Sequence, residues 1–149
     1  MTNEDNINVV KGFFVAMGSG DLQNLRARCV EDVKWFIPGD WALTGAHRGH
    51  GGVEALLQTA SRAVETTIAE PMEFVAQGDR VLVIGSATGT IKATNKKFED
   101  DFIFAFTVRN GKITTIREYN DTLALARASD TPAETVSSGQ LRAGQGTSR

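Results

Sequence analysis

The chain has 149 residues, 41% hydrophobic and 23% charged, with a net charge of −2. That length suits one domain with a core of its own, and the composition is ordinary for a soluble globular protein. The scattered basic residues give no footprint for nucleic acid, no apolar run nears the ~20 residues of a membrane span, and the lone Cys29 excludes an internal disulfide or a multi-cysteine metal site.

The first residues, MTNEDNINVVKG, are polar and acidic, unlike a secretory signal, so a cytoplasmic location is expected. Ile7, Val10, Phe14 and Met17 recur at helical spacing, which predicts a helix over Asn3–Met17 stopped by Gly18 and Gly20. Asp21 can cap a second helix with Leu22, Leu25 and Cys29 on its apolar stripe, where Cys29 would be a buried thiol. Val33, Trp35 and Ile37 alternate with Lys34 and Phe36 as a short strand ended by Pro38. A glycine-rich irregular stretch with His47 and His50 runs from Gly39 to Gly52. A third helix carries Val53, Leu56, Leu57, Ala60, Ala63 and Val64 on one side.

Pro71 then opens a region of antiparallel strands, with Met72–Gln77 and Arg80–Thr90 joined by Gly78 and Asp79. Asn110-Gly111 marks a two-residue hairpin between the last two strands. Helices followed by consecutive strands predict an α+β domain, with helices packed on one face of a sheet. This domain is expected over residues 1–128. Residues 129–149, rich in Ser, Thr and Gly, are expected to form a mobile tail with little to bury.

A regular register counted back from Asn110-Gly111 pairs Phe106 with Thr115, Phe104 with Arg117 and Phe102 with Tyr119. One face of the hairpin then bears Phe102, Phe104 and Phe106. The other bears Asp101, Ile103, Ile116, Glu118 and Asn120, apolar with a few polar groups, as a ligand cavity requires. On this register the aromatic strip stands outward and is expected to be covered by a second copy, giving a homodimer. With the opposite choice of face, Arg117, Tyr119 and Asp121 become the functional set.

The segments DVKWFIPG, G-x-x-x-G-x-x-G-V before a helix, GDRVLV and RNGKITTIREYNDT resemble the SnoaL-like branch of the nuclear-transport-factor-two and ketosteroid-isomerase superfamily. The likeness spans Asn6 to Ala128. It implies a cone, with three helices folded over a strongly curved, mainly antiparallel sheet that encloses a pocket. The last strand also resembles that of the limonene-1,2-epoxide hydrolase family, which reads W-R-D-Y-F-D where this chain reads Ile116 to Asp121. That likeness puts Glu118 in place of the family's water-activating aspartate. The hydrolase's other catalytic positions fall on Trp35, Ile37, Gly85 and Ala87, which cannot perform its mechanism. With Val83 and Gly89, Gly85 and Ala87 are expected to leave one pocket wall nearly bare.

Glu118 is therefore the leading candidate for chemistry, because a carboxyl in an apolar cone titrates nearer neutrality. Asp101 would be its partner acid, and His47 a proton shuttle or substrate-polarising group. Trp35, Ile37, Trp41, Ile103, Ile116 and Asn120 would line the ligand site. No cofactor and no metal are expected. The two functions in view are a cofactor-independent isomerase, cyclase or hydrolase acting on an apolar carbonyl compound, and a non-catalytic ligand-binding or accessory module. A Glu118 with raised pKa favours the first, and a Glu118 locked to an arginine favours the second.

Overall fold

The computed structural model describes residues 1–130, so the tail expected over 129–149 lies outside the described residues apart from its first two. The elements are α1 (Asn3–Ser19), α2 (Leu22–Ala27), β1 (Cys29–Ile37), β2 (Gly45–Arg48), α3 (Gly49–Ala63), β3 (Val64–Ile68), β4 (Glu73–Gln77), β5 (Arg80–Ile91), β6 (Lys96–Arg109), β7 (Lys112–Tyr119) and α4 (Thr122–Ser129). The strands form one curved, unclosed sheet in the order β2-β1-β7-β6-β5-β3, with β4 also on β5. Every pairing is antiparallel except β1 with β7. This is the expected α+β cone.

Local chemistry explains most boundaries. Thr2 and Asp5 form a reciprocal capping box, with the Asp5 N–H 3.0 Å from Thr2 Oγ1 and the Thr2 N–H 2.8 Å from Asp5 Oδ2. Gly20 ends α1 at φ 71°, a left-handed cap that glycine adopts without a Cβ penalty. Two boundaries differ from the periodicity. Cys29 opens β1 rather than continuing α2, and Val64 opens β3 rather than ending α3. In both places β-branched residues follow (Val30 and Val33; Val64, Thr66, Thr67 and Ile68), and they pack better on a pleated surface than on a helix. Part of the stretch expected to be irregular is ordered as β2 and the first turn of α3.

The largest correction concerns β6 and β7. The turn is as expected, with Asn110 at φ 51° and Gly111 at φ 75° and Arg109 opposite Lys112. The register then shifts. Val108 faces Ile113, but Thr107 faces Thr115, so Thr114 is an extra residue in β7. One extra residue reverses the relative facing of the strands beyond it. Phe104 consequently pairs with Glu118, and Ile103 with Tyr119.

Phe102, Phe104 and Phe106 thus lie inside and do not form an exposed strip: they are 4%, 5% and 0% exposed. They meet α1 and β1 in a T-shaped aromatic cluster, with Phe14–Phe104 centroids 5.3 Å apart and Phe13–Phe106 centroids 5.4 Å apart. Burying each ring contributes roughly 2 kcal/mol or more. The dimer surface expected on these rings is therefore core of a single subunit.

Candidate active site

The inner face of β6 and β7 presents Asp100, Glu118 and Asn120 to a cavity of about 500 Å³. Trp35, Ile37 and Trp41 line the same space, and Leu56 of α3 and Leu125 of α4 add apolar wall. The site therefore combines a largely hydrocarbon lining with a small convergent polar group.

Glu118 is held by two donors. Trp35 Nε1–H donates to Oε1 at 3.0 Å, and Asn120 Nδ2–H donates to Oε2 at 3.0 Å. The same Asn120 nitrogen donates to Asp100 Oδ2 at 2.8 Å. Asp100 Oδ1 accepts the Asp121 N–H at 2.6 Å, and the Asp121 side chain caps α4 by accepting the Ala124 N–H. The asparagine thus spends one amide hydrogen on each carboxyl, and the polar cluster is tied to the start of the helix that completes the cavity.

Burial pushes the Glu118 carboxyl from 4.5 up to about 7. The Asn120 and Trp35 hydrogen bonds favour the anion and oppose this rise, while the nearby Asp100 charge adds to it. Asp100 is also raised above the ordinary aspartate value, first by burial, with the Asp121 and Asn120 hydrogen bonds acting against it. Near neutral pH Glu118 is divided between acid and base forms, the state from which one group can both accept and return a proton. Among the described residues the ion pairs are Arg26–Glu54 and Arg109–Asp79, and neither touches this cluster.

The structure brings together Glu118, Trp35, Ile37, Trp41 and Asn120 as lining residues. It separates the others. Asp101 points to the outer face and is exposed; its neighbour Asp100 takes the inner place. Ile103 is 41% exposed on the outer face, across from Tyr119. Both displacements follow from the Thr114 bulge. Ile116 is inward but fills the core behind the cavity. His47 sits on β2 with Nε2 3.0 Å from the Leu43 carbonyl oxygen, away from the cavity lining. A carbonyl only accepts, so this nitrogen carries the hydrogen, and the ring braces the β1–β2 connection. Tyr119 and Asp121 are exposed.

Gly85 and Gly89 do not open a bare wall. They make room for rings from β6: a Cβ at Gly85 would come 2.7 Å from Phe102 Cζ, and one at Gly89 would come 2.6 Å from Phe98 Cζ. Ala87 and Val83 do face inward, and Ala87 borders the cavity. Cys29 is buried, and its thiol is pushed up to about 11 by desolvation, which leaves it protonated and unreactive.

Two polar atoms near the cavity lack partners among the described residues, Asn120 Oδ1 and Trp41 Nε1. Both are closed off in this conformation, so recruiting either needs a side-chain rotation. Among the described residues no cluster of three His, Cys, Asp or Glu side chains is placed to hold a metal ion, and no helix is long and apolar enough to cross a membrane.

Comparison with known proteins adds four findings. A crystal structure of an NTF2-like protein from Burkholderia xenovorans shares 58% identity, with TM-score 0.84, over 87% of this chain and 99% of that one. The crystal structure of TerC, co-crystallized with polyporic acid, is 26% identical with TM-score 0.74, over 83% of this chain and 97% of that one. An uncharacterized protein of Mycobacterium tuberculosis is 29% identical over 119 residues, 80% of this chain and 91% of its own length. Residues 10–116 match the profile of the SnoaL-like domain.

Proposed function

The chain belongs to the SnoaL-like family, and on that premise we propose that its cavity performs cofactor-free acid–base chemistry, as an isomerase, cyclase or hydrolase, on an apolar, carbonyl-bearing small molecule. The observation that carries this reading is a glutamate carboxyl set in a hydrocarbon-lined cavity and oriented by two neutral donors, with no cation paired to it among the described residues. A purely structural carboxylate is normally neutralised by an ion pair. This one keeps a free energy of protonation near zero at neutral pH, which suits proton transfer in both directions.

In the isomerase form, the Glu118 carboxylate takes a proton from the carbon beside the substrate carbonyl. On a substrate with a C=C one carbon removed from that position, the C–H bonding pair moves to form a dienolate, and Glu118 returns the proton at the far alkene carbon as the double bond shifts into conjugation with the carbonyl. Trp35 and Asn120 hold the carboxyl through both transfers. The Trp41 indole N–H, with its ring turned toward the cavity, is a donor for the enolate oxygen. The apolar walls exclude water and strengthen these interactions.

The test is solvent-proton exchange. A panel of apolar ketones is first screened for binding by native mass spectrometry, and binders are incubated in D2O and followed by NMR. Exchange beside the carbonyl should be accelerated, and Glu118→Gln should lower it ~10²–10⁴-fold while binding persists. The rate should rise with pH and level off above about 7, because the base must be ionised and Glu118 titrates there. Tight binders that show no exchange with the wild-type protein would overturn the enzymatic reading in favour of a ligand-binding module.

A further inference from the structure

The glycines of α1 and its cap differ in what they do. Gly20 supplies the left-handed cap. Gly12 makes room for a side chain, because a Cβ there would run into the Arg28 guanidinium. Gly18 does neither. It lies within the helix, its φ is not positive, and among the described residues a Cβ built on it meets nothing within 4 Å. A glycine there weakens the helix relative to alanine and gains no contact in return.

Its place on the helix sharpens the point. Gly18 is one turn beyond Phe14, on the same side of α1. Phe14 is buried against Phe104. The row Val10–Phe14–Gly18 thus runs from two buried apolar side chains to none, and the space left at its end belongs to the cavity that holds Glu118.

The lining of that cavity is graded. Asp100, Phe102 and Phe104 are buried at its inner end, beside Glu118. Gly18, Gly20, Gln58, Ser61 and Thr66 line the same space and are exposed, so they mark its mouth. Ser61 Oγ donates to the Gln58 carbonyl of its own helix at 2.8 Å, which ties this short side chain to α3. Behind the rim stand Met17, Leu22 and Leu57, apolar and half-buried. The charged residues of the lining are Asp100 and Glu118, both at the inner end. The way out to the mouth therefore suits an uncharged hydrocarbon substituent.

We propose that Gly18 sets the specificity of this cavity by admitting an elongated ligand, whose carbonyl lies beside Glu118 and whose apolar tail leaves past Gly18 between α1 and α3. A larger residue at position 18 closes that path and restricts the cavity to compact molecules. The position of the carbonyl rests on the acid–base role proposed for Glu118; the path of the tail does not.

The chain has two tryptophans, Trp35 and Trp41, and both line the cavity, so their indole N–H signals in proton–nitrogen NMR report its occupancy. The probes are tetralone, a compact ketone; dodecan-2-one, an extended one; and dodecan-1-ol, an extended chain without the carbonyl. The wild-type chain should bind all three. Gly18→Leu should weaken both extended probes ~10-fold or more and tetralone by less than ~2-fold. Gly18→Ala should weaken the extended probes less, and should raise the thermal midpoint because alanine favours the helix. Glu118→Gln should leave the discrimination by length unchanged. The same pattern without solvent-proton exchange would remove the enzymatic reading and still support the role of Gly18. A wild-type chain whose indole signals move with neither extended probe has no open path past Gly18 and would overturn the proposal. Unchanged binding of dodecan-2-one to Gly18→Leu would overturn it by placing the tail elsewhere. Equal losses for tetralone and dodecan-2-one, or a Gly18→Ala chain less stable than wild type, would overturn it by showing that the glycine serves the fold.

Discussion

The two faces of the β6–β7 hairpin differ in everything except their backbone. Asp100, Phe102, Phe104 and Phe106 alternate with Asp101, Ile103 and Ala105, yet the first set is buried and the second is partly or fully exposed. Asp100 and Asp101 are the sharpest pair. Both are aspartates, adjacent in one strand. Only Asp100 meets Asn120 and the Asp121 N–H, and burial pushes the Asp100 carboxyl up. On β7 the inner Glu118 is desolvated between two donors, while the outer Arg117 rests on two rings. Residue type does not decide chemistry here. Facing decides it, and facing is set by the single extra residue Thr114.

The largest way to break this comparison is Phe104→Asp. A regular hairpin would put this side chain on a surface and make the substitution a test of association. The bulged hairpin puts it against Phe14, Trp35 and Phe102. Burying an unpaired charge there, together with loss of the ring, should destabilise the fold by ~4 kcal/mol or more, and circular dichroism should show an unfolded chain at 25 °C. A folded Phe104→Asp monomer would restore the outward reading of the strip.

The next effect depends on pH. Glu118 titrates near 7 in the fold and at 4.5 when unperturbed. Between those values the folded chain holds the extra proton, so this stabilising contribution is complete below 4.5 and is lost as pH rises through about 7. At about 1.4 kcal/mol per pH unit, ionising Glu118 costs the fold on the order of 3 kcal/mol at high pH. Glu118→Gln should therefore be close to wild type at pH 4 and more stable than wild type at pH 8.5 by urea denaturation. Equal stability differences at the two pH values would show that the carboxyl is well solvated.

Much of this was legible in the residues. The helix–strand order, the Asn110-Gly111 turn and the matches around Trp35 and Glu118 fix the cone and place Glu118 inward. The facing of β6 was missed because a bulge has no signature in the local sequence. Thr114 resembles any other strand threonine. A stronger signal was present in the composition of the strand itself. Phe98, Phe102, Phe104 and Phe106 share one parity, against Ile103 and Ala105 on the other, and the side with the larger apolar volume belongs in the core. Weighed against turn counting, that preference is worth several kcal/mol, and a bulge disrupts only one pair of the ladder. Asp100 would then have been drawn inward with the rings, and Asp101 outward. β2 and β3 were illegible for another reason. They are short edge segments whose pairing with β1 and β5 depends on distant residues.

The smallest effect isolates the two aspartates. Asp101→Asn should leave stability within ~0.5 kcal/mol, as for an exposed side chain without partners, and should not move the Glu118 midpoint. Asp100→Asn acts on Glu118 through Asn120. The new amide can still accept the Asp121 N–H, but its nitrogen meets the Asn120 nitrogen, donor against donor. Asn120 resolves the clash by turning its free Oδ1 toward position 100, which withdraws Nδ2–H from Glu118. Two influences on Glu118 then disappear together: the Asn120 hydrogen bond that favoured the anion, and the Asp100 charge that opposed it. The hydrogen bond is the larger of the two, so the Glu118 midpoint should move up from about 7 in Asp100→Asn, read by NMR of the labelled carboxyl carbon. Stability should fall by ~1–2 kcal/mol, the worth of a charge-assisted hydrogen bond. A midpoint that falls instead would mean that Asp100 acts on Glu118 chiefly through its charge, with Asn120 held in place by other contacts.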